Sequence, residues 1–344
     1  MKHLKWFSLF LAIALLFNAC SSGSGNQGAS GQNGSQQGGS EQSGEVVKWK
    51  LGHLANEEHI WHKTALKFAD LVKEKTNGRI EISVFPNNQL GGETDTINSI
   101  KAGTADMVIS GETMQNWAPK AALMAVPYAF RDLDHLTKVV EGDIGKEIEA
   151  EIKEKVGLTP LYYHVRAPRN LTSNRPISSP KDLNGFRMRV PNVPLFLKVW
   201  EAAGARPQVM DFNEVFTGLQ QGVIEGQENP IDLIYSGGLY EVQKYVNETE
   251  HVYSWIYVLV GNKQFESLSD DLKNAVLEAA GEAQAYGEQL FTEEIENYRK
   301  KLEEKGMTFN KVDQDAFRQA MLPAIKESLT QEQYALYEKI LQVK

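Results

Sequence analysis

From Val46 onward the chain alternates between two hydrophobic periods, and that alternation predicts a fold class. Val47, Trp49 and Leu51 alternate with Lys48 and Lys50, the pattern of a half-buried strand. Glu57–Thr76 carries Trp61, Ala65, Phe68, Ala69 and Val72 on one helical stripe and stops at Asn77-Gly78. Ile80, Ile82 and Val84 mark a strand broken by Pro86. A helix over Thr94–Ala102 ends at Gly103, and Asp106–Ser110 is again a strand. Leu123–Tyr128 and Leu158–His164 read as further strands, with a helix over Asp134–Lys155 between them. Repeated strand–helix–strand order predicts an α/β fold, a mostly parallel sheet with helices on its faces.

The second half repeats the theme around Phe186–Pro230. Phe186–Val190 is a short strand that Pro191 ends, and alternation puts Arg187 and Arg189 on one face. Asn192 is expected to cap a helix through Val199 that stops at Gly204. Val209-Met210 is a strand, Asp211 a cap with Glu214 as its capping-box partner, and Gly222-Val223-Ile224 leads to Asn229-Pro230. Three strand exits thus bring Arg189, Phe212 and Asn229 to one sheet edge, where open α/β sheets bind ligands. A guanidinium there can hold a carboxylate through two parallel hydrogen bonds. Lys244–Gly261 is a long extended run that can serve two sheets. Asp270–Lys305 has no proline and would be about 54 Å long as a helix. Its heptad is weak (Ala275, Ala279, Ala283, Leu290), so it reads as a brace between two domains. Met307–Val312, a helix from Asp313 and a last helix from Gln331 complete the chain.

Composition changes the picture at the amino end. Met1–Ala19 reads as a secretory signal: Lys2, His3 and Lys5 precede an apolar run from Trp6 to Phe17, too short to span a membrane. Cys20, the only cysteine, follows directly and is expected to carry lipid, although Phe17 and Asn18 depart from the usual box. A single cysteine leaves no intramolecular disulfide and no thiolate metal site. Residues 20–44 are the lipidated Cys and a Gly/Ser/Gln tether, whose coil reaches roughly 25 Å. The net charge of −9 comes without a dense basic patch, which argues against nucleic acid.

His53, His59 and His62 invite a metal hypothesis, but H-E-x-x-H is absent and a place at the rim of a cleft or edge of the core fits better. Trp61 beside them reads as core. No G-x-S-x-G, Walker A or G-x-G-x-x-G stands in a suitable strand–helix setting, so no cofactor is expected.

R-M-R-V-P-N from Arg187, M-D-F-N-E-V-F-x-x-L-Q-Q-G from Met210 and G-Q-E-N-P from Gly226 together resemble the solute receptors of TRAP transporters, the dicarboxylate-binding type. The resemblance covers almost everything after Val46. It implies a two-lobed periplasmic-binding-protein-like fold, with a cleft between lobes and a long C-terminal helix bracing both. The lobes are expected at 45–166 plus 255–294 and at 167–254 plus 295–344. It also implies capture of an organic acid for membrane subunits driven by an ion gradient, by a cofactor-free monomer held outside the membrane through Cys20.

On this resemblance Arg189 is the main carboxylate anchor and Arg169 a second ligand arginine. Sequence alone equally allows Arg169 to hold backbone carbonyls of its loop. Asn229 offers both a donor and an acceptor. Phe212 packs on the ligand's carbon skeleton, though by itself it reads as core. Glu93 and Glu112 fall where the family places selectivity residues; alone they read as solvated loop carboxylates. Two other classes stay open: a secreted enzyme with His59 or Glu112 as base, and a sensory receptor. The ligand is left among C4-dicarboxylates, sugar acids and sialates.

Overall fold

A computed structural model describes residues 46–344; the signal, Cys20 and the tether lie outside the described residues. The strands are β1 (Val47–Gly52), β2 (Ile80–Phe85), β3 (Met107–Ser110), β4 (Leu158–Val165), β5 (Arg169–Ser173), β6 (Arg187–Val190), β7 (Arg206–Val209), β8 (Gly226–Asn229), β9 (Tyr245–Val252), β10 (Trp255–Gly261) and β11 (Thr308–Asn310). The helices are α1 (Ile60–Lys75), α2 (Glu93–Ala102), α3 (Leu133–Glu141), α4 (Asp143–Glu151), α5 (Pro194–Ala202), α6 (Phe212–Gln220), α7 (Ile231–Ser236), α8 (Asn262–Glu266), α9 (Asp270–Glu304), α10 (Gln314–Ser328) and α11 (Gln331–Gln342).

The strands form two sheets, one in the order β2-β1-β3-β10-β4 and one in the order β11-β9-β5-β8-β6-β7. In each sheet a single strand runs against the rest: β10 in the first and β5 in the second. The mostly parallel order predicted from the strand–helix alternation is thus kept, but divided between two sheets. The chain passes between sheets at 166–168 and returns at 253–254, so β9 belongs to the second sheet and β10 to the first.

The residues of α9 explain why it braces. Leu272, Val276, Ala279, Ala280, Ala283 and Phe291 pack with the first sheet's core around Trp49, Phe68 and Val258. Its far end puts Leu302 into a separate cluster with Val215, Leu219 and Val246 on the second sheet. Small residues let it lie close to β4: a Cβ on Gly287 would stand 2.2 Å from His164 Cε1. α11, grouped by sequence with the second lobe, seats instead on first-lobe segments. Gln333 Nε2 donates to Pro119 O at 2.6 Å, and His135 Nε2 lies 2.8 Å from Ile340 O.

Three local expectations are corrected. Pro119–Ala125 is a 3-10 helix, where the apolar run Leu123–Tyr128 was expected to be a strand. A short buried apolar run has no period that separates the two, and Pro119 favours the first helical turn. The helix expected over Asp134–Lys155 is two, α3 and α4, meeting at Gly142. α4 can fold back so tightly because Gly145 has no Cβ, which would otherwise lie 1.8 Å from Val140 O. Finally, neither Asn192 nor Asp211 caps its helix with its side chain: Val193 holds the cap position of α5, and Asp211 holds that of α6 without a side-chain bond.

Candidate functional site

A buried cavity lies between the two sheets. Its wall takes Trp61, Glu93, Ser110 and Arg166 from the first-sheet side, and Arg169, Arg189, Phe212 and Asn229 from the second. Its volume of about 60 Å³ holds about four to six water-sized groups, at roughly 10–15 Å³ each. That is the scale of a small polar molecule, not of a peptide or nucleic acid strand.

β6 delivers Arg189 to the cavity. Arg187, two residues earlier on the same strand, is exposed and pairs with Glu225 at 3.2 Å, so of the two arginines only Arg189 is buried. Arg189 Nε donates to Met210 O at 2.7 Å, which fixes the plane of its guanidinium, and Phe212 lies beneath it at 5.9 Å. No carboxylate stands within ion-pair distance among the described residues. Burial lowers its pKa to about 10, so it is still a cation at neutral pH.

Arg169 is settled differently. Its Nη2 donates to Glu228 Oε1 at 2.7 Å, to Glu228 O at 2.9 Å and to Asn229 Oδ1 at 3.2 Å. His251 Nε2 stands 3.0 Å from the other oxygen of the same carboxylate. Burial pushes Glu228 up, but the charge and hydrogen bonds of Arg169 outweigh it and hold the carboxyl at about 2. Asn229 is bound on both sides, since its Nδ2 also donates to Gln227. Arg169 and Asn229 therefore border the cavity as parts of a prearranged network.

The two first-sheet carboxylates are not solvated. Glu112 is buried and accepts from Arg166 Nη1 at 2.8 Å and from Ser254 Oγ at 2.6 Å, with Arg169 Nη1 3.7 Å away. Burial raises its pKa, but the two guanidiniums more than offset this and leave it below its ordinary value. Glu93 accepts from the Ser110 hydroxyl and from Thr113 Oγ1 at 3.0 Å. Burial raises its pKa, the Ser110 hydrogen bond opposes this, and the charge of Glu112 adds to it. Glu93 is thus the carboxyl in the wall that most easily carries a proton.

The histidines are buried rather than at a rim. His53 Nε2 lies 3.1 Å from His62 Nδ1, and His59 Nε2 lies 3.2 Å from Asp232 Oδ2. No group of three or more metal-binding side chains occurs among the described residues. Both ring nitrogens of His59 are engaged, Nδ1 accepting from the Trp61 amide at 3.1 Å and Nε2 facing Asp232, and Glu112 is held by Arg166. Two bonds join segments from the two sides near the cavity: Asn116 Nδ2 to Asn192 O at 2.8 Å, and Asn56 Nδ2 to Ser236 O at 2.9 Å. The sequence reading missed Arg166, Glu228, His251 and Asp232. The only available signal was spacing: Arg166 precedes Arg169 by three residues in an extended segment, and Glu228 sits inside G-Q-E-N-P.

Residues 51–332 match the family of bacterial extracellular solute-binding proteins, family 7. The chain is 52% identical to the solute-binding protein RD1_1052 of Roseobacter denitrificans, over 85% of this chain and 90% of that one. It is 33% identical to the 2,3-diketo-L-gulonate-binding periplasmic protein YiaO of Escherichia coli, over 79% and 84%. It also overlays a crystal structure of a TRAP periplasmic solute-binding protein from Roseobacter denitrificans with bound L-galactonate. There the TM-score is 0.85 and the identity 51%, over 87% of this chain and 99% of that one. On these grounds the chain belongs to family 7 of the bacterial extracellular solute-binding proteins, the extracytoplasmic solute receptors of TRAP transporters.

Proposed function

We propose that this receptor captures a monocarboxylate sugar acid, with the carboxylate on Arg189, and hands it to TRAP membrane subunits for uptake driven by an ion gradient. The observation that carries this reading is the charge pattern of the wall. Glu112 neutralises Arg166 and Glu228 neutralises Arg169, which leaves Arg189 as the one arginine of the cavity wall without an ion-pair partner among the described residues. One open guanidinium calls for one carboxylate. A second carboxylate, as in a C4-dicarboxylate, would meet Glu93 and Asp211, both in the cavity wall. The relative with bound L-galactonate carries a ligand of this class. Phe212, Asn229, Arg169, Glu93 and Glu112 are assigned to shaping and polarising the same cavity.

The test is a thermal-shift screen of L-galactonate, shorter aldonates, uronates and C4-dicarboxylates, followed by calorimetry. A ligand at about one hundred times its Kd stabilises the folded state by about 2.7 kcal/mol. A sugar acid is expected to raise the melting temperature; a shift with C4-dicarboxylates alone would sink the reading. The lobes are taken to move as 45–166 plus 255–294, joined by α11, against 167–254 plus the rest of 295–344. The chain is taken to act as a monomer anchored by lipid on Cys20. Radiolabelled palmitate entering the wild type but not Cys20→Ala would support the anchor, and equal labelling would refute it.

A further inference from the structure

Arg166 is a cavity-wall residue to which neither the resemblance nor the charge argument gives a role toward ligand. It sits just past the end of β4, on the first-sheet side and opposite the sheet that supplies Arg189. Of its nitrogens, Nη1 donates to both oxygens of Glu112. Its Nε is buried without a partner, and its Nη2 donates to no group among the described residues. Trp61 lies 5.3 Å from the guanidinium and holds it against the wall. The indole N–H of Trp61 is also buried and unpartnered. Trp200 and Trp255 share that condition, but of the three only Trp61 borders the cavity.

Buried donors without acceptors are uncommon, because each one left unmade costs the free energy of stripping it from water. Here two of them belong to neighbouring side chains, Arg166 and Trp61, that border the ligand cavity. Arg166 already has its countercharge in Glu112, so a second carboxylate gains little there. A neutral oxygen gains a strong hydrogen bond from a charged donor. We propose that Arg166, with Trp61 beside it, forms a second subsite that reads the hydroxyl or carbonyl oxygens at the far end of the acid's carbon chain, and so sets the chain length the receptor prefers. This rests on the sugar-acid reading, which fixes the carboxylate on Arg189.

Calorimetry with L-galactonate and the shorter D-erythronate tests it, on the wild type, Trp61→Phe, Arg166→Lys and the charge-balanced double variant Arg166→Gln/Glu112→Gln. Arg166→Lys keeps the countercharge for Glu112 but loses the planar fork. Each variant is expected to weaken L-galactonate about tenfold and leave D-erythronate within about twofold, so that the preference for the longer acid collapses. Equal losses for both acids, or no loss for L-galactonate, would overturn the subsite. Trp61→Phe keeps a benzene ring under the guanidinium and no charge changes, so despite a modest loss of packing it is expected to fold and to report on the hydrogen bond even if the Arg166 variants fold poorly. Failure of the wild type to bind either acid would instead sink the sugar-acid reading.

Discussion

The two walls of the cavity solve opposite problems. On the second-sheet side the buried charges are settled before any ligand arrives: Arg169, Glu228, His251 and Asn229 form one network, and Arg189 is held flat by a backbone carbonyl. On the first-sheet side Glu112 absorbs part of Arg166, while other donors of Arg166 and Trp61 have nothing to bind. A rigid wall with one open cation supplies affinity for acids in general. A wall of open neutral-seeking donors supplies the choice among them. Attraction and discrimination are thus separated onto the two halves of a closing cleft.

That contrast can be broken most forcefully at Glu228. Glu228→Ala leaves Arg169 buried with only the more distant Glu112, 3.7 Å away, and removing one partner of a buried pair costs about 3–5 kcal/mol. Denaturant unfolding is expected to show a loss of that size, and a loss under about 1 kcal/mol would mean the network is not what holds the wall. Arg189→Ala should do the reverse. It should weaken sugar-acid binding by at least about thirtyfold, the lower end of the 2–5 kcal/mol for a truncated charge pair. The empty variant should melt near the wild type, since the buried cation it removes has no carboxylate partner and only the Met210 carbonyl to lose. Unchanged affinity by calorimetry would refute the anchor.

Gly287→Ala is expected to cost about 1–3 kcal/mol, because its Cβ meets His164 and α9 must lift from β4. A melting temperature equal to that of the wild type would show that the brace yields easily. Titration sharpens the comparison further. Glu228 is depressed to about 2, so its contribution is present above its unfolded value near 4.5 and is lost as pH falls towards 2. On the first-sheet side, burial lowers the pKa of His164 to about 3. The unfolded chain takes that proton near pH 6.5 and the folded one resists it, so stability falls as pH drops from 6.5 towards 3. Melting curves should show His164→Asn flattening the decline over the upper window and Glu228→Gln over the lower. If the two variants share one window, the two halves of the molecule do not titrate separately.

Periodicity carried most of the fold, and the reasons it failed are specific. Strands that alternate, such as Val47–Leu51, and helices with a continuous stripe, such as the one holding Trp61 and Phe68, are written in the order of residues. Leu123–Tyr128 is not, because a short run buried on all sides has no period to read. The two caps failed because Asn192 and Asp211 answer to partners far along the chain. The Asn192 carbonyl accepts from Asn116, and Asp211 Oδ2 faces Gly92 at the start of α2, so close that a Cβ there would stand 3.1 Å away. The site divides in the same way. Arg189 and Asn229 stand at strand ends, where local reasoning reaches. Whether an arginine is open or already neutralised depends on contacts between residues 54 to 59 apart, as in Arg166–Glu112 and Arg169–Glu228. Trp61 read as core for the same reason, since its burial was legible and its neighbouring guanidinium was not.

The bonds from Asn116 to Asn192 and from Asn56 to Ser236 bear on time rather than strength of attraction. Each joins a segment that follows a first-sheet strand to one that follows a second-sheet strand, as does the weaker bond from the Leu195 amide to Gln115. Parting of the halves has to break them all. Each one therefore slows opening, and the dwell of cargo is expected to lengthen with groups that need never touch the cargo.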